Sequence, residues 1–273
     1  MNTNQALQHA RSLDIDLLEA QTLLLHVLLR PLHDRAWLLL HDTLVLTHEQ
    51  QTEFRQGLEQ LLDYTPLAYL TGWQAFHGLD LQVTPDVLVP RADTETLVDW
   101  ALSLDLPQAR VLDLGTGSGA VALALKHKRP SWTVHAVDQS AKALAVAQAN
   151  AHRLQMEVVF TQSDWFSRVQ AKLDLIVSNP PYIAQADPHL PGLVHEPQSA
   201  LVSGPQGLND LQTIIAQAPS YLVPGGWLLL EHGYDQAAAV CELLLQNGLT
   251  QVQSRNDLAG IARCSGGMRA EVK

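Results

Sequence analysis

Asn179, Pro180, Pro181 and Tyr182 end an apolar run, LDLIVS (173–178), that reads as a buried strand. Two successive prolines cannot continue sheet pairing, so the four residues form a stiff loop at the strand's carboxyl end. In an open α/β sheet that end is where ligands bind. With average residue frequencies, a chance match to all four positions in a chain this long is on the order of one in a thousand.

A second set of residues points to the same edge. VLDLGTGSGA (111–120) places Asp113, Gly115, Thr116, Gly117, Ser118 and Gly119 between a strand and a helix. Alternate glycines allow a tight turn and let a ligand approach the backbone. Asp138 ends the next strand, where a carboxylate can accept both hydroxyls of a ribose; capping the helix that follows is the competing role. Asp164 ends the third strand and can accept from an adenine amino group, with Trp165 beside it to pack on the purine face. Three successive strands each deliver a ligand-facing group, which favours an adenosine-containing cofactor. The G-x-G-x-G spacing departs from the G-x-G-x-x-G of dinucleotide-binding loops.

The elements that must position these groups can be read in outline. Residues 93–273 alternate between strands and helices: ARVLDL (109–114), AVALALKHK, WTVHAVD (132–138), AKALAVAQANAHRL, MEVVFTQSD (156–164) and LDLIVSN. After a long excursion come a helix near 208–221, GGWLLLEHG (225–233), a helix over 235–246 and weak terminal strands. Continuously apolar strands alternating with helices imply a doubly wound, mostly parallel sheet covered on both faces. Residues 71–92 carry glycine, aromatic and alternating apolar residues and predict a hairpin connector. Residues 1–70 have apolar residues at helical spacing, such as Leu17, Leu18, Leu24, Leu25 and Leu28, and predict a small helical bundle; Thr47 and Gln50 form a capping box at one helix start.

Composition bounds the remaining possibilities. The formal charge of −11 over 273 residues argues against a broad phosphate-binding surface, so no stable nucleic-acid partner is expected. Cys241 and Cys264 are too few for a disulfide framework or a zinc site and read as reduced thiols. The 12 histidines show no ligand spacing, and no metal is expected. The start lacks an apolar signal core and no run approaches a membrane span, so the expectation is a cytoplasmic protein with no membrane association. Nothing demands more than a monomer.

The glycine loop, the strand-end acid and NPPY together resemble class I S-adenosylmethionine-dependent methyltransferases that act on planar, amide-like nitrogens. Further stretches narrow this. VLVPRADTETLVD (87–99) is similar to the PR-x-[DE]-T-E signature of the protein-glutamine methyltransferases, the HemK/PrmC family that modifies peptide chain release factors. GWQAFHG (72–78), EPQSALVSGPQGL (196–208), EHGYDQ (231–236) and DLAGIAR (257–263) fit the same family in order and spacing. The chain departs from it at Ala92, where a second proline is usual, and in the polar, glycine-rich tail CSGGMRAEVK.

The resemblance implies a seven-stranded, Rossmann-like catalytic domain over 93–273 and a substrate-recognition role for residues 1–70. It implies S-adenosylmethionine, released as S-adenosylhomocysteine, held by Asp113, Gly115 to Gly119, Asp138, Asp164, Trp165 and Asn179. It implies that Asn179, Pro180, Pro181 and Tyr182, with Arg91 and Glu95, receive the glutamine of the Gly-Gly-Gln motif of class-1 release factors, and that Asn179, Pro180 and Tyr182 carry the chemistry. An amide nitrogen is a poor nucleophile because its lone pair is delocalised. The Asn179 side-chain oxygen and the Pro180 carbonyl can accept its two N–H groups and favour the charge it gains. The alternatives are an adenine amino-methyltransferase of DNA, which shares NPPY but needs a basic groove, and a non-catalytic binding module.

Overall fold

The computed structural model describes residues 1–271. Chain contacts divide it into two compact units. The first takes Met1–Trp73 with Pro191–His195, and the second takes the rest of the described chain.

The first unit holds α1 (Thr3–Ser12), α2 (Leu17–Val27), α3 (Arg35–Leu40), α4 (His48–Leu62) and α5 (Leu67–Thr71). Thr47 caps α4 with the expected box: its hydroxyl accepts from Gln50 N at 3.2 Å, and Gln50 Oε1 accepts from Thr47 N at 3.0 Å. Ala6, Ala10, Leu23, Leu24, Phe54 and Leu58 form one core across α1, α2 and α4. Of the leucines whose spacing marks α2, Leu24 and Leu25 are buried, while Leu17 and Leu18 stay exposed in the first turn.

A hairpin follows, β1 (Trp73–Phe76) and β2 (Leu79–Gln82), turned at Gly78 and belonging to the second unit from Gln74 on. There follow α6 (Glu95–Ser103), β3 (Arg110–Leu114), α7 (Ala120–Lys128), β4 (Thr133–Asp138), α8 (Ala141–Arg153), β5 (Val159–Gln162) and β6 (Leu173–Ser178). The chain ends with α9 (Asn209–Tyr221), β7 (Leu222–Glu231), α10 (Ala237–Gln246), β8 (Leu249–Asn256) and β9 (Ala262–Arg269). The large sheet runs β5-β4-β3-β6-β7-β9-β8 among the described residues. The five strands from β5 to β7 pair in parallel, and β9 pairs antiparallel with both β7 and β8.

Alternation along each strand sends side chains to opposite faces. Val111, Leu175 and Val177 join α6 and α7 in one core, while Leu112, Leu114 and Ile176 join α9 and α10 in the other. That is the doubly wound, mostly parallel, seven-stranded sheet expected from the alternation and the resemblance. The polar tail also finds its explanation. β9 is threaded between β7 and β8, and a Cβ on Gly266 would lie 2.6 Å from the Leu228 carbonyl and 2.9 Å from the Trp100 ring. A glycine there lets the Trp100 ring lie directly against the strand.

Candidate active site

The carboxyl ends of β3, β4 and β6 converge on a cavity of about 270 Å³ within the second unit. The loop after β3 is built from its own carboxylate. Asp113 is 1% exposed; its Oδ2 accepts from the Thr116 hydroxyl at 2.6 Å and from Ala122 N at 3.2 Å. Burial pushes the Asp113 carboxyl up to about 7, against the pull of those two donors. Gly115 N and Thr116 N both donate to the Val137 carbonyl, at 2.9 and 3.0 Å, closing the tight turn. Gly115 needs its φ of +69°, and a Cβ there would sit 3.4 Å from the Trp165 ring. Gly119 at φ +85° starts α7, with Leu123 and Ala147 only 3.1 and 3.2 Å from where its Cβ would be.

Asp138 lines the cavity from the end of β4. Its Oδ2 accepts from Gly117 N and its Oδ1 from Ser140 N, both at 2.9 Å. The backbone N–H of Gln139 also acts on this carboxylate, whose position on the cavity wall suits a pair of adjacent hydroxyls. Burial holds this carboxyl above the ordinary aspartate range, opposed by the same backbone donors. Asp164 and Trp165 follow β5 and border the cavity. Trp165 is in the left-handed region at φ +42°, a conformation rare for a bulky residue and concentrated at functional sites. The Ser163 hydroxyl donates to the Trp165 carbonyl at 2.8 Å and pins that turn.

Asn179 and Pro181 face the cavity, whereas Pro180 is buried and does not line it. Asn179 Nδ2 donates to Thr94 Oγ1 at 3.1 Å, so its oxygen is turned away from that contact. Tyr182 also stands off the cavity. Its ring packs on the core shared with α9, its hydroxyl donates to Glu231 Oε1 at 3.1 Å, and its carbonyl accepts from Gln236 Nε2 at 3.0 Å. Burial first, then the neighbouring Glu231 charge, pushes the Tyr182 hydroxyl well above its usual range.

Arg91 and Glu95 are placed behind the walls. Arg91 pairs with the buried Glu196, whose other oxygen accepts from Val89 N at 3.0 Å. This joins two cavity-lining segments, 85–90 and 197–200. Glu95 Oε1 accepts from His77 N at 2.8 Å and anchors the hairpin turn.

Sequence reasoning missed several participants. Val87, Leu88, Thr94, Pro197, Ser199 and Ala200 line the cavity from inside two stretches that carry the family resemblance, 87–99 and 196–208, without having been singled out as site residues; Pro85, Asp86 and Asp210 line it from outside any motif. Asn150 on α8 is fully buried: its Oδ1 accepts from Gln82 N at 2.7 Å, and its Nδ2 donates to Gln82 O and Ser118 O at 2.9 and 3.0 Å. Glu231 ends β7 at 1% exposure, with its carboxyl raised to about 7, chiefly by burial. The rule that picked out Asp113 and Asp138, an acid closing an apolar strand, would have found Glu231 in WLLLE.

This sheet, with a glycine loop and strand-end carboxylates around one cavity, defines a class I methyltransferase. Residues 93–254 match the methyltransferase small domain, and residues 2–72 match the PrmC N-terminal domain. The chain is 46% identical to a release factor glutamine methyltransferase of Xylella fastidiosa, covering 96% of this chain and 98% of that protein. It is 49% identical to one from Bordetella pertussis, over 92% of this chain and 94% of that protein. The chain belongs to the release factor glutamine methyltransferase family. In structure it resembles a methyltransferase from Pyrococcus furiosus at TM-score 0.57 and 19% identity, over 79% of this chain and 98% of that one, a likeness of fold.

Proposed function

We propose that this protein transfers a methyl group from S-adenosylmethionine to the side-chain amide nitrogen of the glutamine in the Gly-Gly-Gln motif of class-1 peptide chain release factors, in the cytoplasm, modulating translation termination. The observation that carries this reading is the placement of Asn179 on the cavity that also holds Asp138, Trp165 and the glycine loop. S-adenosylmethionine supplies an electrophilic methyl group and leaves as S-adenosylhomocysteine.

The residues present fit that group. Gly117 has open space where a Cβ would stand, Asp138 stands on the cavity wall for the ribose, and the Asp164–Trp165 pair suits the adenine amino group and ring. On the substrate side, Asn179 Oδ1 accepts one N–H of the glutamine amide and the Pro180 carbonyl the other. Both acceptors strengthen their bonds as the nitrogen gains charge, so they act on the transition state more than on the ground state, and the methylated nitrogen, now strongly acidic, releases its proton to water. Pro180 and Pro181 stiffen the loop that aims them, and Tyr182 fixes it from behind, its ring packed on the core and its hydroxyl donating to Glu231. Arg91 and Glu95 serve the substrate by bracing the walls. No metal takes part, the protein acts as a monomer, and the helical unit grips the release factor body.

Relatives of 43–49% identity carry the release factor glutamine name, which favours this substrate over adenine in DNA. The test is mass spectrometry of a release factor incubated with this protein and S-adenosylmethionine, beside Asn179→Ala. One added methyl group on the Gly-Gly-Gln peptide, absent with the variant, is expected. An unmodified peptide would overturn the substrate assignment.

A further inference from the structure

The amide of Asn179 does its proposed work only with its oxygen toward the substrate nitrogen; the reverse orientation sets N–H against N–H. Something must therefore choose between the two. Asn179 Nδ2 donates to Thr94 Oγ1 at 3.1 Å, and Thr94 is 3% exposed just ahead of α6. The Thr94 hydroxyl neighbours the carboxylate of Glu231 without a hydrogen bond at bonding distance between them. Glu231 ends β7, one residue beyond Leu230, which pairs in register with Ser178, the residue before Asn179. Glu231 Oε1 accepts from Tyr182 Oη, and Oε2 is buried without a hydrogen-bond partner at bonding distance among the described residues. Two hydrogen bonds, Asn179 to Thr94 and Tyr182 to Glu231, thus leave the NPPY loop and end on neighbouring side chains.

The polarity of that arrangement follows from its acid. An ionised carboxylate only accepts hydrogen bonds, whereas a hydroxyl can donate once and accept as well. A Thr94 hydroxyl that aims its proton at Glu231 has only lone pairs left for Asn179. Asn179 must then present Nδ2 to Thr94 and keep Oδ1 for the opposite side. Neutralise that acceptor and its pull on the Thr94 proton weakens, so Thr94 is free to donate to Oδ1, which turns the amide over. The other groups facing the carboxylate are Asp93 ahead of α6 and Arg263 and Cys264 on β9. Arg263 is already shared between Asp93 at 3.2 Å and Asp257 at 3.1 Å.

We propose that Glu231 and Thr94 are positioning residues that hold the Asn179 amide with its oxygen toward the nitrogen to be methylated. This rests on the function proposed above. The test is steady-state methylation of a purified release factor at pH 8 by the full chain and its Glu231→Gln, Thr94→Val and Thr94→Ser variants, with S-adenosylmethionine affinity measured by calorimetry. Glu231→Gln and Thr94→Val each lower kcat roughly 10- to 100-fold, the scale of a misaimed reacting group, while cofactor affinity stays within about twofold. Thr94→Ser recovers most of the rate lost in Thr94→Val, and the double variant is no worse than either single one, because both residues act through the same amide.

Rates for both variants within about threefold of the parent, or a matching loss of cofactor affinity, would overturn the proposal. Should Glu231→Gln fail to fold, the Thr94 pair decides. An inert parent protein would instead refute the substrate assignment. Read independently of turnover, the Asn179 side-chain NH2 signals in NMR shift and exchange faster in Thr94→Val and Glu231→Gln; unchanged signals would overturn the positioning role.

Discussion

The side-chain amide of Asn150 bonds the carbonyl of Ser118 at 3.0 Å, tying α8 to the loop that lines the cavity. Through the same amide it pairs with both backbone groups of Gln82 at the end of the hairpin. Asn150→Leu keeps the volume but strands a buried N–H and two carbonyls, at a cost of roughly 3 kcal/mol. A lowered denaturant midpoint with an unchanged slope is expected, together with weaker S-adenosylmethionine binding. Parent-like stability would mean that the hairpin and the glycine loop are held by other contacts.

Asp138 makes a second loop contact, from Gly117 N. Asp138→Ala removes both this support and the acceptor proposed for the ribose. Cofactor affinity measured by calorimetry is expected to fall at least about tenfold, since hydrogen bonds to a charged group are worth about 1.5–3 kcal/mol each. Affinity unchanged by the substitution would remove Asp138 from the cofactor site.

Asp113 and Glu231 give the protein an unusual pH profile. Burial raises each carboxyl from its unfolded value, 3.8 or 4.5, to about 7. Between pH 4 and 7 the folded state therefore holds protons on these groups that the unfolded chain has already released. Stability contributed by the protonated forms is complete below pH 4 and is lost as pH rises through about 7, at up to about 1.4 kcal/mol per pH unit for each group. Thermal unfolding from pH 5 to pH 8 should show this fall, with a smaller slope in Asp113→Asn. Equal slopes would show that Asp113 is ionised in the fold throughout.

Gly266 tests the antiparallel end of the sheet, where β9 lies between β7 and β8. Gly266→Ala drives a methyl group into the Leu228 carbonyl and the Trp100 ring. Overpacking of this kind costs typically ~1–3 kcal/mol, because a strand backbone cannot step aside as a flexible side chain can. Urea unfolding should report the loss. An unaltered midpoint would mean that β9 shifts freely against β7.

Much of the site was legible in the sequence for a simple reason. The glycine loop, Asp138, Asp164–Trp165 and Asn179 each stand immediately after an apolar strand, and strand-end position is a local property that period and punctuation reveal. Parallel order then brings those ends to one edge. The capping box at Thr47 was legible for the same reason, since three residues of spacing contain the whole interaction.

What only the tertiary structure decided lies in pairs distant along the chain. Arg91 with Glu196, Glu95 with His77, Asn150 with Gln82 and Ser118, and Asn179 with Thr94 join residues whose separation carries no periodic signal. The same holds for Tyr182, whose aromatic type announces a flat face but whose hydroxyl finds Glu231 only once β6 and β7 lie side by side. The polar tail is the clearest case. Its glycines weaken a strand by propensity, yet β9 forms because two antiparallel neighbours and the Trp100 ring supply what its own side chains lack. Local chemistry and strand ends were set by the sequence alone; which buried polar group meets which was set by packing, because a hydrogen bond between distant residues exists only where the fold closes the loop between them.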